Sequence, residues 1–298
     1  MTRTNGGKIL VVGGSSRIGA CFLRHSEPGR VIATYHHRPH AGGIVFDAAR
    51  QRLEDVDLPL SQISHALILF AVPDPDRCLA DPEKARNLNV SATLAVVDTL
   101  ISHGIVPVFM SSEAVFDGEK GDYREEDVAN PISYYGRLKL EVEQHMADTE
   151  ALTLRISRVV GTTPGDGTMF TNWLSQLQRG DSIVCAGDQR FSPIHEDDVA
   201  EAIQRLIEHR CRGLYHVCGP EGLTRLAMLA LLVERFKQSG GRMTARVESC
   251  SIDDFPTPER RPRDVSMSCK KLVDATGFTP RNVSAICQEM VRCPTTGR

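Results

Sequence analysis

Ser111-Ser112-Glu113-Ala114-Val115-Phe116-Asp117-Gly118, followed by Tyr135-Gly136-Arg137-Leu138-Lys139, places a hydroxyl, a phenol and an ammonium in one stretch of chain. On a helix, Tyr135 and Lys139 are four apart and share a face. An ammonium beside a phenol favours the phenolate and lowers a pKa that is ordinarily about 10. Tyr135 is therefore expected to exchange a proton near neutral pH. A serine at a strand end opposite that helix can hydrogen-bond the same substrate oxygen, which polarises a carbonyl for reduction or an alcohol for oxidation. Chance alone supplies about 0.1 such Tyr/Lys pairs in a chain of this composition, so the surroundings decide between a reactive pair and a surface helix. Here an apolar run over residues 105–110 precedes the pair, and a glycine-rich turn lies upstream.

The elements that must position these groups alternate between strand and helix. Strands are predicted at residues 8–12, 30–35, 43–46, 66–71, 106–110 and 152–156, with helices at 18–25, 82–102 and 131–149. Short connections between them favour an α/β, Rossmann-type, doubly wound parallel sheet covered on both faces. After residue 161 the chain leaves the sheet through Thr-Pro-Gly-Asp-Gly and a helix bearing the single Trp, Trp173. A further helix at 198–208 and a strand at 214–217 return to the sheet. The predicted division is a nucleotide-binding domain over 1–161, rejoined by about 190–218, and a smaller, mainly substrate-binding domain over 162–298.

Gly13-Gly14-Ser15-Ser16-Arg17-Ile18-Gly19 lies between the first strand and the first helix. Glycines there let the backbone approach a pyrophosphate, and the helix N-terminus offers free N–H donors. A carboxylate near the end of the second strand commonly holds the ribose 2′-hydroxyl of NAD, yet no Asp or Glu occurs from residue 28 to 46. His36, His37 and Arg38 stand there instead, with Arg17 in the preceding turn. Guanidinium groups welcome a 2′-phosphate, so NADP(H) is expected over NAD(H). The alternative is a set of solvated loop charges.

The 298 residues are 41% hydrophobic and carry a net charge of −3. That balance suits a large core and gives no basic footprint for nucleic acid. No apolar run reaches membrane-spanning length, and residues 9–12 are too short for a signal peptide, so the cytoplasm is expected. The nine cysteines include no C-x-x-C pair and read as reduced thiols. Neither His36, His37 and His40 nor His195 has metal-ligand spacing, and no metal is assigned.

On the glycine turn, Asn89-Val90, Ser111 to Gly118, Tyr123 to Pro131, Tyr135 to Glu143, Arg155 to Gly161, Ser192 to Val199 and Arg261-Pro262, the chain resembles the extended short-chain dehydrogenase/reductases over nearly its whole length. It is most similar to the dTDP-4-dehydrorhamnose reductase group, whose relatives include the regulatory beta subunit of methionine adenosyltransferase. The resemblance implies that Ser112 polarises a carbonyl, Tyr135 protonates its oxygen, and Lys139 binds the nicotinamide ribose while tuning Tyr135. It implies cofactor contacts at the glycine turn, Asp47, Ala71 and Asn89, where a turn carboxylate and a structural amide are the plainer alternatives. Three departures stand out: Ser16 replaces the middle glycine, Arg158 replaces a frequent Trp, and Phe70-Ala71-Val72-Pro73-Asp74 replaces an Asn/Ala-rich turn.

Glu113, Arg158, Trp173, Arg190 and Arg261 are the candidate substrate contacts, and Arg260, Arg261 and Arg263 are read as a diphosphate clamp. The expected function is NADP(H)-dependent reduction of a carbonyl on a nucleotide-linked sugar or related polar metabolite. The alternatives are a non-catalytic NADP-binding regulatory subunit and an NAD-dependent sugar-nucleotide epimerase or dehydratase. The expected partner is this small-molecule substrate, with neither nucleic acid nor membrane, and a homodimer is an open option.

Overall fold

The computed structural model describes residues 7–292. Six strands occupy the first half: β1 (Lys8–Val12), β2 (Val31–Tyr35), β3 (Ile44–Val45), β4 (Ile63–Ile68), β5 (Val106–Ser112) and β6 (Leu152–Ile156). With β7 (Val159–Val160), β8 (Ile183–Ala186), β9 (Arg190–Phe191), β10 (Ile194–His195) and β11 (Gly213–Val217) following, the main sheet runs β11-β6-β5-β4-β1-β2-β3, and all its pairings are parallel. Strand residues alternate between its two faces. Ile9, Val11, Leu67 and Val108 enter one core; Leu10, Val12, Ile68 and Phe109 enter the other. This two-sided burial explains why the strands read as continuous apolar runs.

The helices of the first half are α1 (Arg17–His25), α2 (Pro75–Ala80), α3 (Pro82–Arg86), α4 (Thr93–Ser102) and α5 (Tyr134–Met146). The predicted single helix over 82–102 is interrupted and preceded by an additional one. Asp74 and Asp81 cap α2 and α3, each followed by a proline that fits the first helical turn. A π-type widening at Asn87–Ala92 turns Asn89 inward. The fourth strand also ends earlier than predicted, at Ile68, because Asn89 takes both the N–H and the carbonyl of Val72 at 2.7 and 3.0 Å. Leu69 still donates to the Val12 carbonyl at 2.9 Å, and the chain leaves the sheet beyond it.

Beyond α5 lie α6 (Met169–Arg179), α7 (Glu196–Glu208), β12 (Leu223–Thr224), α8 (Arg225–Gln238), β13 (Val247–Cys250), α9 (Lys270–Thr276) and α10 (Val283–Arg292). A third core joins α6, α8 and α10 to Val115, Phe116 and Tyr123 from the first half. In contrast, Leu272 of α9 packs in the core beside the main sheet, so the two lobes exchange segments. The eight described cysteines are free. Among the described residues no helix is long and apolar enough to cross a membrane.

His216, on β11, is fully buried, and burial together with the nearby Arg155 charge lowers its pKa to about 3. The unfolded chain takes up a proton near the ordinary 6.5, so stability is lost as pH falls below that value, by about 2 kcal/mol at pH 5 from this group alone. His216→Phe keeps an aromatic ring and removes the titration. Urea unfolding at pH 7 and pH 5 is expected to show a loss smaller by about that amount in the variant; equal losses would assign the acid sensitivity to other groups.

Candidate active site

Ser112 ends β5, and its hydroxyl accepts the Ala114 N–H at 3.2 Å, capping the short 3₁₀ turn that follows. Ser133 caps α5 by accepting the Gly136 N–H at 3.1 Å. A Cβ at Gly136 would collide with the Ala114 carbonyl oxygen, so glycine is required for α5 to lie directly on that turn. This contact brings Tyr135, in the first turn of α5, beside the Ser112 hydroxyl.

Burial raises the Tyr135 pKa above its ordinary value, and the Ser112 hydroxyl only partly offsets the rise. This overturns the expectation of a lowered value. Lys139 sits with its Nζ 5.8 Å from the Tyr135 ring centroid, donates to the Met110 carbonyl at 2.7 Å, and does not relieve the phenol's desolvation. Burial lowers Lys139 itself to about 8, against the attraction of Glu143. Glu143, one further turn along α5, is held by Arg155 at 2.7 Å and by the Ser111 hydroxyl. Its role escaped the sequence reading, although the four-residue steps Tyr135, Lys139, Glu143 were visible there.

At the glycine turn, Gly13 has a φ of +97°, and a Cβ at Gly19 would lie 2.6 Å from the Gly13 carbonyl oxygen. Ser16 caps α1 by accepting the Gly19 N–H at 3.1 Å, which gives the departure from glycine a structural purpose. Ser15 is partly exposed and Ile18 packs on the sheet core. Arg17 corrects the sequence reading: its guanidinium pairs with Glu196 at 3.1 Å and Asp166 at 3.6 Å, toward α7 and away from β2. It ties the turn to the second lobe and does not join Arg38.

His36, His37 and Arg38 are exposed beyond β2, with the two imidazole centroids 3.6 Å apart and their planes tilted by 34°. Asp47 reaches His36 at 3.3 Å and Arg50 at 3.6 Å, so folding brings to β2 a carboxylate that the local sequence lacks. Arg38 closes no ion pair among the described residues. His40, unassigned from sequence, lies beneath the turn, 2.9 Å from where a Gly14 Cβ would be. Asn89 is directed at Val72, not at open cleft, and thereby holds the turn containing Ala71.

On the substrate side, Glu113 is buried, accepts from the Ser157 hydroxyl and, at 3.3 Å, from the Arg158 N–H, and burial raises its pKa. Arg158 is exposed over the Phe191 ring at 5.2 Å. Three expected contacts are redirected by tertiary partners. Trp173 is buried in the second-lobe core against Phe170. Arg190 pairs with Asp264 at 3.4 Å, and Arg261 with Asp76 at 2.6 Å. The predicted arginine clamp is not assembled, since Arg263 turns to Asp188 and Asp253 at 3.1 and 2.5 Å. Arg225, which the sequence reading missed, lies 6.0 Å from the same Phe191 ring.

Folding also gathers His195, Asp197 and Glu289 within one metal-sized cluster, and Cys21, His25 and Asp197 within another. Arg281 already occupies the first, contacting His195 at 2.8 Å and Glu289 at 2.6 Å.

A parallel sheet ordered in this way, with a glycine turn at its first crossover and the Ser/Tyr/Lys group at the carboxyl ends of its strands, defines a Rossmann-type nucleotide-binding protein. The chain belongs to the RmlD substrate binding domain family, which it matches over residues 7–294. It is 26% identical to methionine adenosyltransferase 2 subunit beta of Bos taurus, covering 89% of this chain and 81% of that one. It is 28% identical to dTDP-4-dehydrorhamnose reductase of Sinorhizobium fredii, covering 91% and 92%. Among solved structures it is similar to a hypothetical dTDP-4-dehydrorhamnose reductase from Sulfolobus tokodaii, with TM-score 0.82, 28% identity and coverage of 93% and 98%. It also shares its fold with the Bacillus anthracis dTDP-4-dehydrorhamnose reductase solved with NADP, at TM-score 0.81, 17% identity and coverage of 95% and 98%.

Gly136→Ala tests the contact on which the site depends. On a free helix this change is favourable by about 1 kcal/mol, whereas forcing a methyl into the Ala114 carbonyl is expected to cost about 1–3 kcal/mol. Urea unfolding should show a net loss of stability; a gain would mean that α5 can withdraw from the turn.

Proposed function

We propose that this chain reduces a carbonyl on a nucleotide-linked sugar, with NADP(H) as its cofactor. The observation that carries this reading is Tyr135 beside Ser112 and Lys139 at the end of the sheet that the glycine turn also borders. The chain's residues fit the cofactor: Gly13 and Gly19 permit close backbone approach, the first turn of α1 offers N–H donors, and Arg38 has no ion-pair partner among the described residues beyond β2. When bound, NADPH supplies hydride. Ser112 and Tyr135 donate hydrogen bonds to the substrate oxygen, and Tyr135, kept protonated by its burial, delivers the proton. Lys139 is a buried cation at neutral pH and is read as the ribose contact. Asn89 fixes the Ala71 turn against which a nicotinamide would lie. We read residues 1–161, with the returning strand β11, as the cofactor side and the later lobe as the substrate side.

The named activity of the Sinorhizobium relative and the NADP complex of the Bacillus structure support the substrate class and cofactor. The similarity to beta subunits of methionine adenosyltransferase favours a second reading, an NADP-binding regulatory subunit. NADPH oxidation with nucleotide-linked 4-keto sugars, assayed without any partner, distinguishes them; stoichiometric partner binding without turnover would favour the second.

Tyr135→Phe keeps the ring and removes the proton donor, so turnover is expected to fall by about 10²–10⁴-fold with NADPH affinity little changed. Near-normal turnover would remove Tyr135 from the role of acid. Arg38→Ala is expected to weaken NADPH by about 10–150-fold and NADH far less, as a lost charge-assisted hydrogen bond requires. Calorimetric titration of both cofactors reads this directly, and an equal loss for the two would relocate the 2′-phosphate contact.

A further inference from the structure

Two guanidinium groups on the cleft wall have no part in the chemistry above. Arg158 follows β6, and Arg225 opens α8, yet both lie over the ring of Phe191, at 5.2 and 6.0 Å. Neither closes an ion pair among the described residues, and the Nε of Arg225 is buried without a hydrogen-bond partner. Burial and repulsion from Arg158 lower Arg225 to about 10, a sign that its charge is poorly compensated. An unpaired buried charge is costly, and an anionic ligand removes that cost.

The neighbouring arginines cannot serve the same purpose while Asp264, Asp76, Asp188 and Asp253 hold Arg190, Arg261 and Arg263. The carboxylate that Arg158 and Arg225 both feel is Glu113, which is buried, held by Ser157, and drawn toward its neutral form. Glu113 directly follows Ser112, and its carboxylate accepts the Arg158 N–H at 3.3 Å. The cationic pair therefore borders the reacting end of the cleft.

We propose that Arg158 and Arg225 form a subsite for a carboxylate carried by the reacting sugar itself, so that the preferred ligands are nucleotide-linked sugar acids. Two planar guanidinium forks on one aromatic ring suit a planar carboxylate. The inference deepens the sugar-nucleotide reading and rests on it.

Calorimetric titration of the NADPH-loaded protein with UDP-glucuronic acid and with UDP-glucose tests it, because the two share nucleotide and diphosphate and differ by one carboxylate. The acid is expected to bind at least about 10-fold more tightly, as charge-assisted hydrogen bonds allow. That lead should shrink to about twofold or less in Arg158→Met and Arg225→Met, and survive in part in Arg225→Lys. Equal binding of the two sugars by wild type overturns the subsite and leaves the sugar-nucleotide reading standing. Equal weakening of both in the variants assigns the arginines to the shared diphosphate and also overturns it. Binding of neither sugar overturns the sugar-nucleotide reading and this inference together. Melting curves accompany the variants, and the exposed Arg158 supplies the test if Arg225→Met fails to fold.

Discussion

The closeness of α5 to the turn after β5 sets the working distance between Tyr135 and Ser112. It exists because Gly136 has no side chain to meet the Ala114 carbonyl. Ser133 and Ser112 cap the two facing segments, so each is held by its own backbone hydrogen bonds before the pair meets. A hydroxyl and a phenol placed in this way meet the geometric condition of the proposed proton transfer, reach of one ligand oxygen without a large rearrangement.

Behind that contact runs a column of charge along α5. Lys139 is buried between the Met110 carbonyl and the Phe109 ring, and Glu143 below it is gripped by Arg155 and Ser111. Buried ion pairs of this kind contribute little net stability, because desolvation offsets their attraction. Their value here is positional: the pair joins α5 to β6 and orients the helix that carries Tyr135. Arg155 also lies over Phe116, which stacks on Tyr123 at 4.0 Å, so the same column reaches the core of the second lobe. Tyr123 in turn accepts three backbone N–H groups from residues 118–120 and donates to Asp117 at 2.5 Å. The Phe-Asp-Gly part of the serine motif is thus scaffolding, and so is Ser111, whose buried hydroxyl holds Glu143.

The cleft wall opposite combines a buried acid with two cations. Glu113 is shielded and biased toward protonation, whereas Arg158 and Arg225 have no acidic partner at ion-pair distance among the described residues. A neutral ligand group at such a wall leaves the buried Nε of Arg225 without compensation.

Local pattern was enough to read most of the architecture and to bring Ser112, Tyr135 and Lys139 to one strand end. Strand alternation, the glycine turn, and the helix period that joins Tyr135 to Lys139 all act over fewer than about ten residues, where sequence spacing and spatial spacing coincide. The end of β4 and the broken helix after it were less readable, because Asn89 acts on Val72 seventeen positions away. The sequence by itself determined which groups stand at the strand ends and which residue types could meet a dinucleotide. Only the tertiary structure decided that Arg17 serves Glu196, 179 positions distant, that Trp173 is core, that Asp47 answers His36, and that Arg225 joins Arg158. It also reversed the direction of the Tyr135 shift, since a neighbouring ammonium is visible in a helical repeat but desolvation is a property of everything packed around the phenol.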